Sequence, residues 1–357
     1  MKFIGSLIAF ASLAAAAPQA GTSLDVKLEM AGNSAVRATI INSGKTNLKI
    51  FKTGTILDEA PIQKAHITRD DERETEVAEL RKSVGNKVRF RGIRQRIATQ
   101  NLDDAAFEHI PAGDSVEVVF NVGEVHDLSA GGAVNIHSSG VMHFANPDNN
   151  ELAGSIPYTS NIVRTTIDGP EAASLLKSFH AERRSVVQGD CGGSKYSASE
   201  TALDDCVKIA RLAQSAANSN AQKVMEYFKD VSDSTKQDIA SVYDRVADEC
   251  SSGNRSTRYF CSDIQGNCAK NVLAYTVTDQ DYQVYCDLYF NLPSVTYTCH
   301  AQDQATTVLH EMTHLAEVAD TSDMAYGYNN IMKLDSYSAL HNADSYSLFA
   351  NAIVAGC

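Results

Sequence analysis

His310-Glu311-Met312-Thr313-His314 sets two imidazoles four residues apart, with a carboxylate beside the first. On a helix that spacing puts both rings on one face, about one turn apart. Both can then reach one divalent cation, and Glu311 can reach a water next to it. Zinc that does chemistry takes three protein ligands and keeps a fourth position open, so one ligand must come from elsewhere. Glu317 is the last glutamate of the chain and lies too near His314 to belong to a separate helix. The pattern H-E-x-x-H-x-x-G-x-x-H fails, because Glu317 and Asp320 stand where it needs Gly and His. The remaining candidates are Asp320, Asp323, Asp335, His341 and Asp344, which makes an aspartate the expected third ligand.

The lead-in Ala305-Thr306-Thr307-Val308-Leu309 and the following Leu315 carry helical spacing, and no Pro or Gly interrupts residues 300–322. The motif is therefore predicted on a helix. Beyond it, Thr321-Ser322-Asp323-Met324-Ala325-Tyr326-Gly327 completes a pattern that resembles the aspzincins, and the longer match is to the fungal deuterolysins. Cys299-His300-Ala301-Gln302-Asp303-Gln304-Ala305 and the ending from His341-Asn342-Ala343-Asp344-Ser345-Tyr346 to Cys357 carry the same resemblance, which covers residues 190–357 most closely. It implies a zincin-type zinc metalloendopeptidase with one zinc per chain, held by His310, His314 and Asp323. It further implies Glu311 as general base, Tyr326 as oxyanion stabiliser or proton donor, and Asp344 and Thr321 as supports around the ligands. The family pattern has Gly where this chain has Asp320, which adds a carboxylate near the site.

The chemistry expected of this set is peptide hydrolysis. Zinc activates a water, Glu311 takes its proton and later passes it to the leaving amine, and Tyr326 steadies the new oxyanion. Asp344 could hold a ligand histidine's other ring nitrogen and fix its tautomer.

The elements around this centre can be read outward. Met1-Lys2, the apolar run Phe3–Ala17 and the small residues Ala15-Ala16-Ala17 read as a signal peptide, too short to span a bilayer. All eight cysteines lie at or after Cys191, and an even count in an exported chain reads as a disulfide framework. Charge divides at the same place. Residues 185–357 hold 22 acidic and 11 basic residues, a net of −11 out of the chain's −13. That balance disfavours nucleic acid. At the boundary, Arg183-Arg184 reads as a dibasic processing site. The predicted layout is a signal over 1–17, a propeptide over 18–184 and a protease domain over 185–357.

In the propeptide, Leu24–Leu28, Val36–Ile41, Leu48–Phe51 and Val116–Phe120 alternate in strand fashion, predicting an antiparallel sandwich of about seven strands. Residues 70–100 are charged and read as a loop with some helix. With no cysteine there, a cysteine latch on zinc is excluded, and inhibition would need a segment lying in the cleft or another ligand.

The protease part is predicted to be mainly α, of α+β type. Ser197–Glu200 and Ser234–Gln237 fit capping boxes ahead of two amphipathic runs. Antiparallel packing of those helices would bring Cys206 to Cys250. The resemblance implies Cys191–Cys261, Cys268–Cys286 and Cys299–Cys357. Val272–Val277 and Val284–Phe290 read as a hairpin whose edge could bind substrate backbone by strand addition. Asn254-Arg255-Ser256 is a glycosylation acceptor pattern. The sequence reading is a secreted, monomeric, membrane-free zinc endopeptidase made as a preproprotein. Its partners would be its own propeptide and polypeptide substrates, basic ones favoured by charge steering. A non-catalytic zinc-stabilised binding module is the alternative, requiring a fourth protein ligand such as His341 or Asp320. A disulfide-stapled interaction protein would hold no metal.

Overall fold

Alternating apolar side chains build the N-terminal half. In the computed structural model, which describes residues 23–69, 87–181, 190–251 and 257–357, this half supplies eleven strands. They are β1 (Leu24–Met30), β2 (Ala35–Asn42), β3 (Leu48–Phe51), β4 (His66–Arg69), β5 (Ile93–Ile97), β6 (Phe107–Ile110), β7 (Ser115–Asn121), β8 (Gly132–His137), β9 (Ser139–Ala145), β10 (Leu152–Thr159) and β11 (Val163–Ile167). Helix α1 (Gly169–Ala181) follows. Leu24, Val26 and Leu28 of β1 point inward while their neighbours face out, as period two requires, and the antiparallel register sets Val26 opposite Ile40. Ten strands form three small antiparallel sheets, ordered β1-β2-β7, β10-β9-β3-β6 and β11-β8-β4, over a core that includes Ile40, Ile50, Ile136 and Met142.

The second half is built on helices: α2 (Gly193–Ser219), α3 (Ala221–Phe228), α4 (Asp233–Cys250), α5 (Gln304–Thr313), α6 (Tyr328–Ile331), α7 (Ser336–Leu340) and α8 (Ala343–Ala355). Strands β12 (Arg258–Phe260), β13 (Val272–Val277) and β14 (Tyr282–Tyr285) form a sheet whose β13 stands beside α5. The small faces of α2 (Ala202, Ala210, Ala213, Ala217) let α4, α5 and α8 approach closely around Phe228, Tyr243 and Phe349. Four disulfides fasten this half: Cys191–Cys261, Cys206–Cys250, Cys268–Cys286 and Cys299–Cys357. The last joins residues 58 apart, a closure worth about 4 kcal/mol on the chain-entropy account. It fastens the end of α8 to the segment leading into α5.

Strand β5 belongs by sequence to the first half and by pairing to the second. The fourth sheet runs β12-β14-β13-β5, with β5 antiparallel to β13. Ile93 is buried with Val272 and Val277, and Ile97 with Phe51, Phe107 and Tyr326, so each stitches the halves together. The pairing continues as Ala98 N–H donates to the Asn271 carbonyl at 2.7 Å, and Arg91 pairs with Asp279 at 2.8 Å.

Several expectations need correction. The strands number eleven rather than about seven; β4 and β6, for example, are only four residues long, too short for a period-two pattern to stand out. Residues 93–97 are a fully buried strand, not loop, because β13 and the surrounding apolar clusters bury Arg94 and Arg96. Helix α2 starts four residues before Ser197, behind Gly192, so Ser197 caps nothing. The cap of α4 is Ser232, whose hydroxyl accepts from Thr235 N–H at 3.3 Å, not Ser234. Strand β14 stops at Tyr285, where Cys286 enters its disulfide. The predicted signal (1–17), Arg183-Arg184 and Asn254 lie outside the described residues. Among those described, no helix is long and apolar enough to cross a membrane.

Candidate metal centre and active site

Helix α5 is held from its first turn. Asp303 caps it, accepting from the Thr306 amide and hydroxyl at 2.7 Å each, and its other oxygen accepts from Thr296 N–H at 2.8 Å. The whole helix is buried, and it ends at Thr313 with His314 as C-cap in helical conformation. His310 and His314 therefore stay on one face, ring centroids 4.8 Å apart.

The chain then turns sharply back. Asp320 adopts φ +48°, a left-handed conformation that Gly takes freely and Asp tolerates, which accounts for the Gly of the family pattern. Thr321 is anchored by its hydroxyl on Thr313 (2.7 Å) and its amide on the Thr313 carbonyl (3.0 Å). This turn swings Asp323 over the two rings. Its Oδ1 lies 3.1 Å from His310 Nε2 and 3.4 Å from His314 Nε2.

The far sides of the rings settle which nitrogen is free. His314 Nδ1 lies 3.0 Å from the Thr321 carbonyl, which can only accept, so Nδ1 carries the hydrogen and Nε2 keeps its lone pair. His310 Nδ1 lies 3.1 Å from Asp344 Oδ1, and an Nδ1–H donating there gives the same tautomer, so that Arg96 Nη1, 3.2 Å from Nδ1, is a neighbour and not a donor to it. Asp344 stands in the first turn of α8 and also accepts from Gly327 N–H at 2.7 Å.

The structure thus brings together His310, His314 and Asp323, with one ligand atom from each lying within 4.8 Å of the others. His310 Nε2, His314 Nε2 and Asp323 Oδ1 are buried, and none has a hydrogen-bond partner despite their mutual approach. Three orphaned lone-pair donors aimed at one point suit a small cation, and two imidazoles with one carboxylate suit zinc. Glu311 fits beside them. The Thr276 hydroxyl donates to its Oε2 at 2.6 Å, while Oε1 is buried and unpartnered. Burial pushes this carboxyl up to about 7, against the pull of His314 and Thr276. Burial and the nearby Arg96 push His310 down to about 3. Asp323 is held well below the usual carboxylate range: burial raises it, but the two histidines outweigh that.

Tyr326 points inward, its ring stacked 6.3 Å from that of His310 and its hydroxyl donating to the Gln95 carbonyl at 2.8 Å. Gly54, at φ +75°, packs so near that a Cβ there would lie 3.0 Å from the Tyr326 ring. Two other candidates are not brought in. Asp320 is exposed, and His341 is engaged with Tyr337 through its carbonyl (2.8 Å) and ring. Sequence reasoning missed Thr276, Gln95 and Arg96. For the last two, Ile93-Arg94-Gln95-Arg96-Ile97 offered only isoleucines at either end of three polar residues, too little to mark a buried strand.

Comparison with known proteins finds relatives along the whole chain. A family model described as deuterolysin metalloprotease matches residues 2–357. A neutral protease 2 homolog of Phaeosphaeria nodorum is 43% identical, the match covering 100% of both chains, and one of Colletotrichum graminicola is 41% identical with the same coverage. One of Coccidioides posadasii is 38% identical over 98% of this chain and 95% of its own. With a family model matched from residue 2 to residue 357 and relatives about 40% identical along the whole length, the protein belongs to the deuterolysin metalloprotease family.

Proposed function

We propose that this metalloprotease is a zinc endopeptidase made as an exported preproprotein, with His310, His314 and Asp323 holding a single zinc. The observation that carries this is the convergence of three orphaned donor atoms beside the free oxygen of Glu311. Three ligands, rather than four, leave the open position that catalysis needs and a structural zinc lacks. Zinc bound there would supply the Lewis acidity that activates water and polarises a peptide carbonyl.

The protein's own groups do the rest. Glu311, steadied by Thr276, accepts the proton of the attacking water and delivers it to the departing amine. The Tyr326 hydroxyl donates to the carbonyl oxygen as charge builds on it. Thr321 and Asp344 hold the ligand rings in place. The eight disulfide-bonded cysteines, the predicted signal and the Arg183-Arg184 pair support export followed by removal of the N-terminal part.

Basic polypeptides are the favoured substrates on two grounds: the net −11 of residues 185–357, and the burial of Arg94 and Arg96 against the site. Raising salt should erase the rate advantage of cationic over neutral peptides, and an unchanged ratio would exclude steering. The central test is metal content together with peptide hydrolysis, for wild type and Glu311→Gln after removal of the N-terminal part. One zinc in both, with activity only in the wild type, is expected. Metal with no cleavage by either would instead favour a binding module.

A further inference from the structure

Strand β5 runs directly against the residues of the metal centre. It pairs with β13, next to α5, as the last strand of that sheet, and its five residues are all buried. Along a strand, successive backbone groups alternate between the two edges. Gln95, opposite Tyr275, turns its groups away from β13 and toward the centre. Its N–H donates to Asp323 Oδ2 at 2.9 Å, and its carbonyl accepts from Tyr326 at 2.8 Å. The next residue drives the anchor home. Arg96 is 1% exposed and its guanidinium pairs with Asp344, with Nη1 also 3.2 Å from Ser347 Oγ and 3.2 Å from His310 Nδ1.

Three of these partners have a duty in hydrolysis. Asp323 is a ligand, Tyr326 the hydrogen-bond donor to the reacting carbonyl, and Asp344 the support of His310. A substrate cannot reach them while β5 is in place. We propose that residues 93–97 are a tethered, uncut occupant of the substrate strand position. In this arrangement the N-terminal half keeps the enzyme shut by β-strand addition, and substrates enter by the same antiparallel pairing on β13 once it leaves. This rests on the peptidase reading above. It also commits to direction and register: residue 95 marks the peptide group presented to the catalytic centre.

The test compares the full chain uncut with the same chain cut by a site-specific protease whose sequence replaces Arg183-Arg184. Hydrolysis of a fluorogenic peptide should rise at least about 50-fold on cutting and release. In the uncut chain, Arg96→Ala and Gln95→Pro should each raise activity about tenfold or more, with near-ultraviolet circular dichroism reporting that the fold is kept. A synthetic peptide of residues 89–99 should compete with substrate on the released enzyme, and the reversed sequence should not. This arm holds even where a variant fails to fold.

Amide exchange supplies a readout apart from activity. The β13 amides should be protected in the uncut chain and exchange faster after release. Equal activity of uncut and released enzyme, or scission of the uncut chain between Gln95 and Arg96 that Glu311→Gln abolishes, would overturn the proposal. If the β13 amides deprotect on release but no peptide is ever hydrolysed, the peptidase reading fails while the strand occupancy stands.

Discussion

Glu311 keeps one carboxylate oxygen on the Thr276 hydroxyl and leaves the other buried with no partner. A group poised in this way is spent on proton transfer. Removing its basicity in Glu311→Gln should lower kcat by about 10²–10⁴-fold while leaving metal content unchanged, measured on the released enzyme. Asp344 acts one step further out. Asp344→Ala should weaken metal binding by about 10–100-fold in competition with a chromophoric chelator, because His310 loses the partner that fixes its tautomer. The conservative Asp344→Asn should recover part of that loss, which a merely structural role would not require.

Helix α5 carries the centre, and its N-cap carries α5. Asp303→Ala removes hydrogen bonds to Thr306 and Thr296 from a buried position, and should cost about 2 kcal/mol, seen as a drop of a few degrees in Tm. How much of this was legible follows from range. The α5 helix, the histidine pair and the Asp323 turn are local patterns, written in some twenty consecutive residues. The α2–α4 packing was readable because two amphipathic runs each carried one cysteine, Cys206 and Cys250. Strand β5 was hidden, since its burial depends on a partner more than 170 residues downstream and its charges imitate a solvated loop. Thr276 was invisible for the same reason: nothing near it in sequence says that its hydroxyl meets Glu311. The helix caps were misplaced by five and two residues, because Gly192 and Ser232 offered caps ahead of the boxes that fit the pattern.

Across the whole molecule, the N-terminal half should be sensitive to acid. Burial pushes His126 and His143 down to about 4, below the 6.5 of a free imidazole. Between pH 6.5 and 4 the unfolded chain therefore binds protons that the folded chain refuses. Stability is fullest above 6.5 and falls through that window by up to about 1.4 kcal/mol per pH unit for each histidine. Urea midpoints at pH 7, 6 and 5 should decline accordingly, and the slope should flatten in His126→Gln. The sheet that crosses the two halves has a further consequence. A polypeptide nicked between them would stay one particle until the β5–β13 ladder opens. A denaturing gel would then time the nick and a hydrodynamic radius the parting, so enzyme that looks mature on the gel could still be silent.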